Sequence, residues 1–168
     1  MMEFTAILEK FDSNLWGYHI CVPEAVANHF LEQNVRRVVC SLNGVLSFQC
    51  ALMPKGDGVW FINLNKQIRD QLGLKTGMTV AAHLTPDDSP YGLPMPEELE
   101  ELLQQDEAGN RLFHELTPGK QRNLLYIAGS PKKSDTRLKR AIIVLEHLKN
   151  NQGKINFKQL YEDLKEGV

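Results

Sequence analysis

The apolar segments between Phe4 and Leu84 follow one order, and that order occurs twice. "FTAILEKF" reads as a strand, "GYHICV" as a second strand, "PEAVANHFLEQ" as a short helix and "VRRVVCSL" as a third strand. "VLSFQCAL", "VWFINL", "KQIRDQLGL" and "MTVAAHL" then repeat the same succession of types. A shift of 42 residues sets Phe4 on Leu46, Ala6 on Phe48, Leu8 on Cys50, Ile20 on Ile62 and Val26 on Ile68. It also sets Phe30 on Leu72, Val38 on Val80 and Leu42 on Leu84. Few of these are identities, yet apolar meets apolar at each. One such unit leaves strand edges open and buries half a core. Two units interlocked close a small barrel of roughly six to eight strands, filled by its own side chains.

The punctuation agrees. Pro23 suits the first turn of a helix, where its missing N–H would be unpaired anyway. Asn43-Gly44 marks a tight turn between strands, and "MPKGDG" reads as a loop. The glycines of "LGLKTGM" serve a helix C-cap and a turn. After "TPDDSPYGLPMP" the apolar spacing becomes wholly helical, with Thr117 and Pro118 opening one helix. Ser134 is placed as the N-cap of the next, with Leu138, Ala141, Ile142, Leu145 and Leu148 as its apolar stripe. The fold class is α+β: a pseudo-symmetric β-barrel of two fused strand–helix–strand repeats, about 4–42 and 46–84, followed by an all-helical domain. The boundaries fall at residues 1–85 for the barrel, 86–95 for a linker and 96–168 for the helices.

"LNKQIRDQLGLKTGMTVAAHL" resembles half of a DNA-binding barrel of the transition-state-regulator, AbrB-like type. Such a half closes by dimerising, and here the second half lies in the same chain. The resemblance implies a nucleic-acid-binding regulator as one alternative. The charges fit it badly. One repeat helix offers Lys66, Arg69 and Lys75 against Asp70, the other only Glu24 and Glu32, and affinity scales steeply with the number of phosphates neutralised.

The chain as a whole resembles another family. It joins a barrel domain of unknown function to a helical bacteriocin-protection, YdeI or OmpD-associated domain. The barrel match runs through "VVCSLNGVLSFQCALMPKGDGVWFINLNKQIRDQLGLKTGMTVAAHL". The helical match runs through "PEELEELL", "LTPGKQRNLLYI" and "KKSDTRLKR", with Thr136, Arg137 and Arg140 its most specific element. The resemblance implies a bacterial cytoplasmic protein and no established reaction.

The net charge of −2 hides an asymmetry. Residues 96–110 carry six acidic and no basic side chains, whereas residues 111–149 carry nine basic and three acidic ones. Two readings follow for the basic segment. It is a solvated face or pairs internally with the acidic helix of residues 97–107, or it forms a site for an anionic ligand or an acidic protein. The site residues would be Arg122, Lys132, Lys133, Thr136, Arg137 and Arg140, since arginine's planar fork takes phosphate or carboxylate through two bonds. Trp16 is placed as a residue lining a cleft between barrel and helices, where a small-molecule enzyme would be a second alternative.

Other chemistry is not visible. No histidine stands three or four residues from another histidine, a cysteine or a carboxylate in a recognisable metal motif, and neither a nucleophile elbow nor a phosphate-cradling loop occurs. No catalytic residue, metal or cofactor is expected. Cys21, Cys40 and Cys50 read as buried thiols in a reducing cytoplasm. No apolar run approaches the roughly 20 residues of a membrane span.

Overall fold

A computed structural model describes residues 2–11 and 17–167. The chain divides into two units, Met1–Asp88 and Ser89–Val168. The first holds β1 (Met2–Ile7), β2 (Glu9–Lys10), β3 (Tyr18–Val22), α1 (Glu24–Leu31), β4 (Arg37–Leu42), β5 (Leu46–Ala51), β6 (Met53–Gly56), β7 (Val59–Asn63), α2 (Lys66–Leu72) and β8 (Thr79–Pro86).

These strands form two antiparallel four-stranded sheets, ordered β1-β8-β4-β5 and β2-β3-β7-β6. The expected closed barrel is therefore corrected, because the described strands do not join in one continuous ladder. The reason lies at Leu8 and Leu52, both fully buried. At each, the chain leaves the edge of the first sheet for the edge of the second, just after a last backbone bond in register with the first sheet's ladder. Leu8 donates to the Met78 carbonyl at 2.9 Å and Leu52 to the Arg36 carbonyl at 2.8 Å. Met53–Gly56, expected as loop, is the strand β6 that begins after this corner.

The registers refine the 42-residue correspondence. In β3 and β7 Ile20 faces Ile62, and in β4 and β8 Ser41 faces His83, each pair 42 residues apart. The edge strands obey a different spacing. Phe4 faces Ala82 and Phe48 faces Cys40, so Phe4 answers to Phe48 and Leu8 to Leu52 rather than to Cys50. The Phe11–Gly17 connection is longer than the Asp57-Gly58 turn, and the difference is absorbed there.

Strand alternation fills the core of this unit. Ile20, Val38, Cys40, Leu42, Val80 and Leu84 point inward with Phe30 of α1 and Ile68 of α2. Asn43 and Gly44 both take positive φ, 53° and 65°, as the central residues of a turn that the Val45 N–H closes on the Leu42 carbonyl at 3.0 Å. Gly73 ends α2 in the left-handed region at φ 62°. The same alternation places His19 and Cys21 together on the opposite face of β3.

The second unit holds α3 (Glu97–Gln105), α4 (Glu107–Glu115), α5 (Pro118–Gly129), α6 (Ser134–Asn150) and α7 (Phe157–Gly167). Asp106 takes an extended conformation and accepts the Gly109 N–H at 2.9 Å. It thereby ends one helix and caps the next. Thr117 caps α5, with Pro118 at its start. Leu99, Phe113, Leu124, Ala141, Leu148 and Leu160 are fully buried at the centre. Gly129 meets Pro96 so closely that a Cβ would stand 2.8 Å from its ring. Tyr91, Leu93 and Met95 of the expected linker pack against this core. The stripe of α6 is as expected at Ala141, Leu145 and Leu148 and differs at its rim. Ala141, Val144, Leu145 and Leu148 are buried, while Leu138 and Ile142 are 41% and 38% exposed. No helix among the described residues is long and apolar enough to cross a membrane.

Candidate functional site

The basic segment is organised around Glu98. Arg137 lies one turn into α6, and its guanidinium grips the Glu98 carboxylate through Nε to Oε1 at 3.0 Å and Nη2 to Oε2 at 3.2 Å. Ser134 is the first residue of α6 rather than its cap, and Lys133 takes the cap position. The freed Ser134 hydroxyl donates to the same carboxylate at 2.7 Å. These bonds favour the ionised acid, and together they hold the Glu98 pKa down from 4.5 to about 2. Arg137 is thus taken by an acid of its own chain, which is the internal-pairing reading at this position.

Its remaining nitrogen does something further. Nη1 donates to the carbonyls of Pro131 and Lys132, at 3.0 and 2.8 Å, so the side chain fixes the turn between α5 and α6. Arg140 acts on the other side of that turn. It donates to the Ile127 carbonyl at 3.0 Å and the Ser130 hydroxyl at 3.5 Å. Carbonyls in the last turn of a helix lack intrahelical partners, and a cation there also matches the helix dipole. The Thr136 N–H is engaged by the Asp135 carboxylate at 2.8 Å.

Three of the sequence-chosen cations stay open. Lys132 and Lys133 are exposed and Arg122 is half-buried. Among the described residues no acid pairs with them. The structure therefore brings Arg137 and Arg140 onto one turn as its scaffold and leaves Lys132 and Lys133 displayed on it. Trp16 lies outside the described residues. The DNA-clamp alternative loses Arg69, whose guanidinium lies 3.8 Å over the Tyr18 ring and whose Nε donates to Leu64.

A second constellation went unread in the sequence. On the outer face of the second sheet, β2 supplies Glu9, β3 supplies His19 and Cys21, and β6 supplies Lys55. Glu9 is directly opposite His19 in the β2–β3 ladder. The β6–β7 register shifts between Pro54 and Gly56, and such a bulge re-aims the residue within it, here Lys55. Lys55 Nζ lies 2.9 Å from His19 Nε2 and 3.5 Å from Cys21 Sγ. The Cys21 thiol donates to Glu9 Oε2 at 3.2 Å. Phe11 stacks on the imidazole at 3.9 Å and Phe61 meets it edge-on.

His19 is 1% exposed, and its Nδ1 has no hydrogen-bond partner among the described residues. Burial, then the Lys55 charge, push its pKa down, against smaller raising effects of the Gly17 backbone and Glu9. The ring is neutral and offers Nε2 as an acceptor. Burial pushes the Cys21 thiol up, and the hydrogen bond to Glu9 adds to it. Cys21 is thus no buried apolar thiol as expected, unlike Cys40, which burial pushes up to about 12. The signal was present as His19-x-Cys21. Helical spacings do not find it, but a spacing of two puts both residues on one face of a strand.

Comparison with known families supports the architecture. Residues 4–84 match a domain of unknown function, DUF1905. Residues 93–151 match the bacteriocin-protection, YdeI or OmpD-associated domain. The two matches follow one another along the chain, DUF1905 first and the bacteriocin-protection, YdeI or OmpD-associated domain second. A comparison with curated proteins found no match. The DUF1905 match covers the Glu9–His19–Cys21–Lys55 constellation. The bacteriocin-protection match covers Glu98, Arg137 and the turn between α5 and α6.

Proposed function

We propose that this protein is a cytoplasmic binding protein of the bacteriocin-protection type that takes an acidic partner or anionic ligand on the turn between α5 and α6. Lys132 and Lys133 make the contact, with Arg122 beside them on α5. Arg137 and Arg140 hold the turn, and Thr136 shapes the start of α6. The single observation that carries this reading is the division of labour at Arg137. Its guanidinium neutralises Glu98 and at the same time anchors the Pro131 and Lys132 carbonyls. The turn is fixed before any ligand arrives, which lowers the ordering cost of binding, and its two lysines pair with no acid among the described residues.

In the same reading the first unit is a pseudo-symmetric support made of two copies of one strand–helix–strand unit. A two-fold axis relating residues 42 apart would pass between Ile20 and Ile62 and between Ser41 and His83. Those pairs face each other in the two central ladders. The free thiols fit a reducing compartment.

The test is a titration of labelled poly-glutamate peptide at low and at raised salt. Binding at low salt that weakens as salt rises is expected, because contacts between exposed charges are screened. Charge reversal by Lys132→Glu with Lys133→Glu should lower affinity at least tenfold, about 1.4 kcal/mol, with an unchanged circular dichroism spectrum. An affinity untouched by that reversal overturns the assignment.

A further inference from the structure

The geometry points to a divalent transition-metal site on the outer face of the second sheet, formed by the Glu9 carboxylate, a ring nitrogen of His19 and the Cys21 thiolate. One donor atom from each of these residues lies within 4.8 Å of the other two. A mixed thiolate, imidazole and carboxylate set selects zinc, cobalt and similar ions over magnesium or calcium, which prefer oxygen alone. Three protein ligands also match a tetrahedral site that keeps one position open.

Three observations support the assignment independently of ligand type. His19 is almost wholly buried, and Phe11 and Phe61 fix its ring on two sides. The ligand is therefore held before an ion arrives. Lys55 places a positive charge against His19 Nε2 and Cys21 Sγ, so a cation already stands among the donors. A surface hollow of about 630 Å³ borders Glu9 and Cys21, together with Thr5, Ile7 and Thr79, and gives access from solvent. It also leaves room for water or a small ligand at the fourth position.

Loading is an exchange of cations. The Cys21 S–H bond breaks, a sulfur–metal bond forms and the proton passes to solvent. The Lys55 ammonium swings out with its own charge. Nothing is oxidised or reduced. Lys55 thereby competes with the metal, which separates this site from adventitious thiol binding.

The experiment titrates the full chain with Co²⁺ under a non-chelating reductant. One equivalent should bind, with the absorption of thiolate-to-cobalt charge transfer and of tetrahedral cobalt, and Zn²⁺ should displace it. Cys21→Ser should abolish the charge-transfer band, whereas Cys50→Ser should retain it. Lys55→Met should tighten binding by about tenfold, since it removes a like charge at close range. Circular dichroism of each variant confirms that the fold is kept. A band that survives in Cys21→Ser overturns the inference, as does looser binding in Lys55→Met or a folded wild type that takes up no Co²⁺.

Discussion

At Glu98 two donors converge on one carboxylate, the Arg137 guanidinium and the Ser134 hydroxyl. The folded acid titrates at about 2 instead of 4.5. Its folded pKa is lowered, so its contribution to stability is complete above pH 4.5 and is lost as the pH falls through about 2. Unfolding midpoints of wild type and Glu98→Gln should therefore differ at neutral pH and converge in this window. Parallel curves down to pH 2 would show that the pair contributes nothing. The sequence carried half of this pairing. The charge blocks of residues 96–110 and 111–149 made internal pairing one of two readings. Which acid meets which arginine depended on the Asp106 break and on the turn after Ser130, and neither is written in the charges. His19 and Cys21 were hidden for another reason. Their spacing of two is meaningful only once β3 is known to have a second, covered face.

Helix α6 was legible as an element, and Ala141, Leu145 and Leu148 of its expected stripe are buried. Leu138 and Ile142 are not, and Val144 turns toward the core beside Leu145. Burial decides the consequence. Leu148→Ala should cost about 2–5 kcal/mol, because it empties a fully enclosed position. Leu138→Ala should stay within about 0.5 kcal/mol. Denaturant unfolding of both variants checks the phase, and equal losses would contradict it. The same helix buries His147, whose Nε2 accepts the Asn156 N–H at 3.0 Å just before α7. Burial lowers its pKa, with Asp163 acting the other way. A lowered histidine pKa means that the unfolded chain takes up its proton first, so stability falls as pH drops below the ordinary 6.5. An NMR titration of the His147 ring should give a midpoint below 6.5, and a midpoint above it would reverse the sign.

On the scale of the whole molecule, apolar order in the first half and helical spacing in the second foretold β-structure followed by helices. Closure was not readable, because Leu8 and Leu52 look like ordinary strand residues until they are seen turning the chain from one sheet edge to the other. The molecule then divides its charged groups by task. Arg137 and Arg140 build a turn, and Lys132 and Lys133 are displayed by it. The measurement that tests this division most directly compares Arg137→Gln with the double variant Lys132→Gln and Lys133→Gln, reading thermal midpoint and poly-glutamate affinity on the same samples. The account expects the arginine variant to lose midpoint and affinity together, and the lysine variant to lose affinity at an unchanged midpoint. A lysine variant that binds as well as wild type, or an arginine variant with an unchanged midpoint, would contradict it.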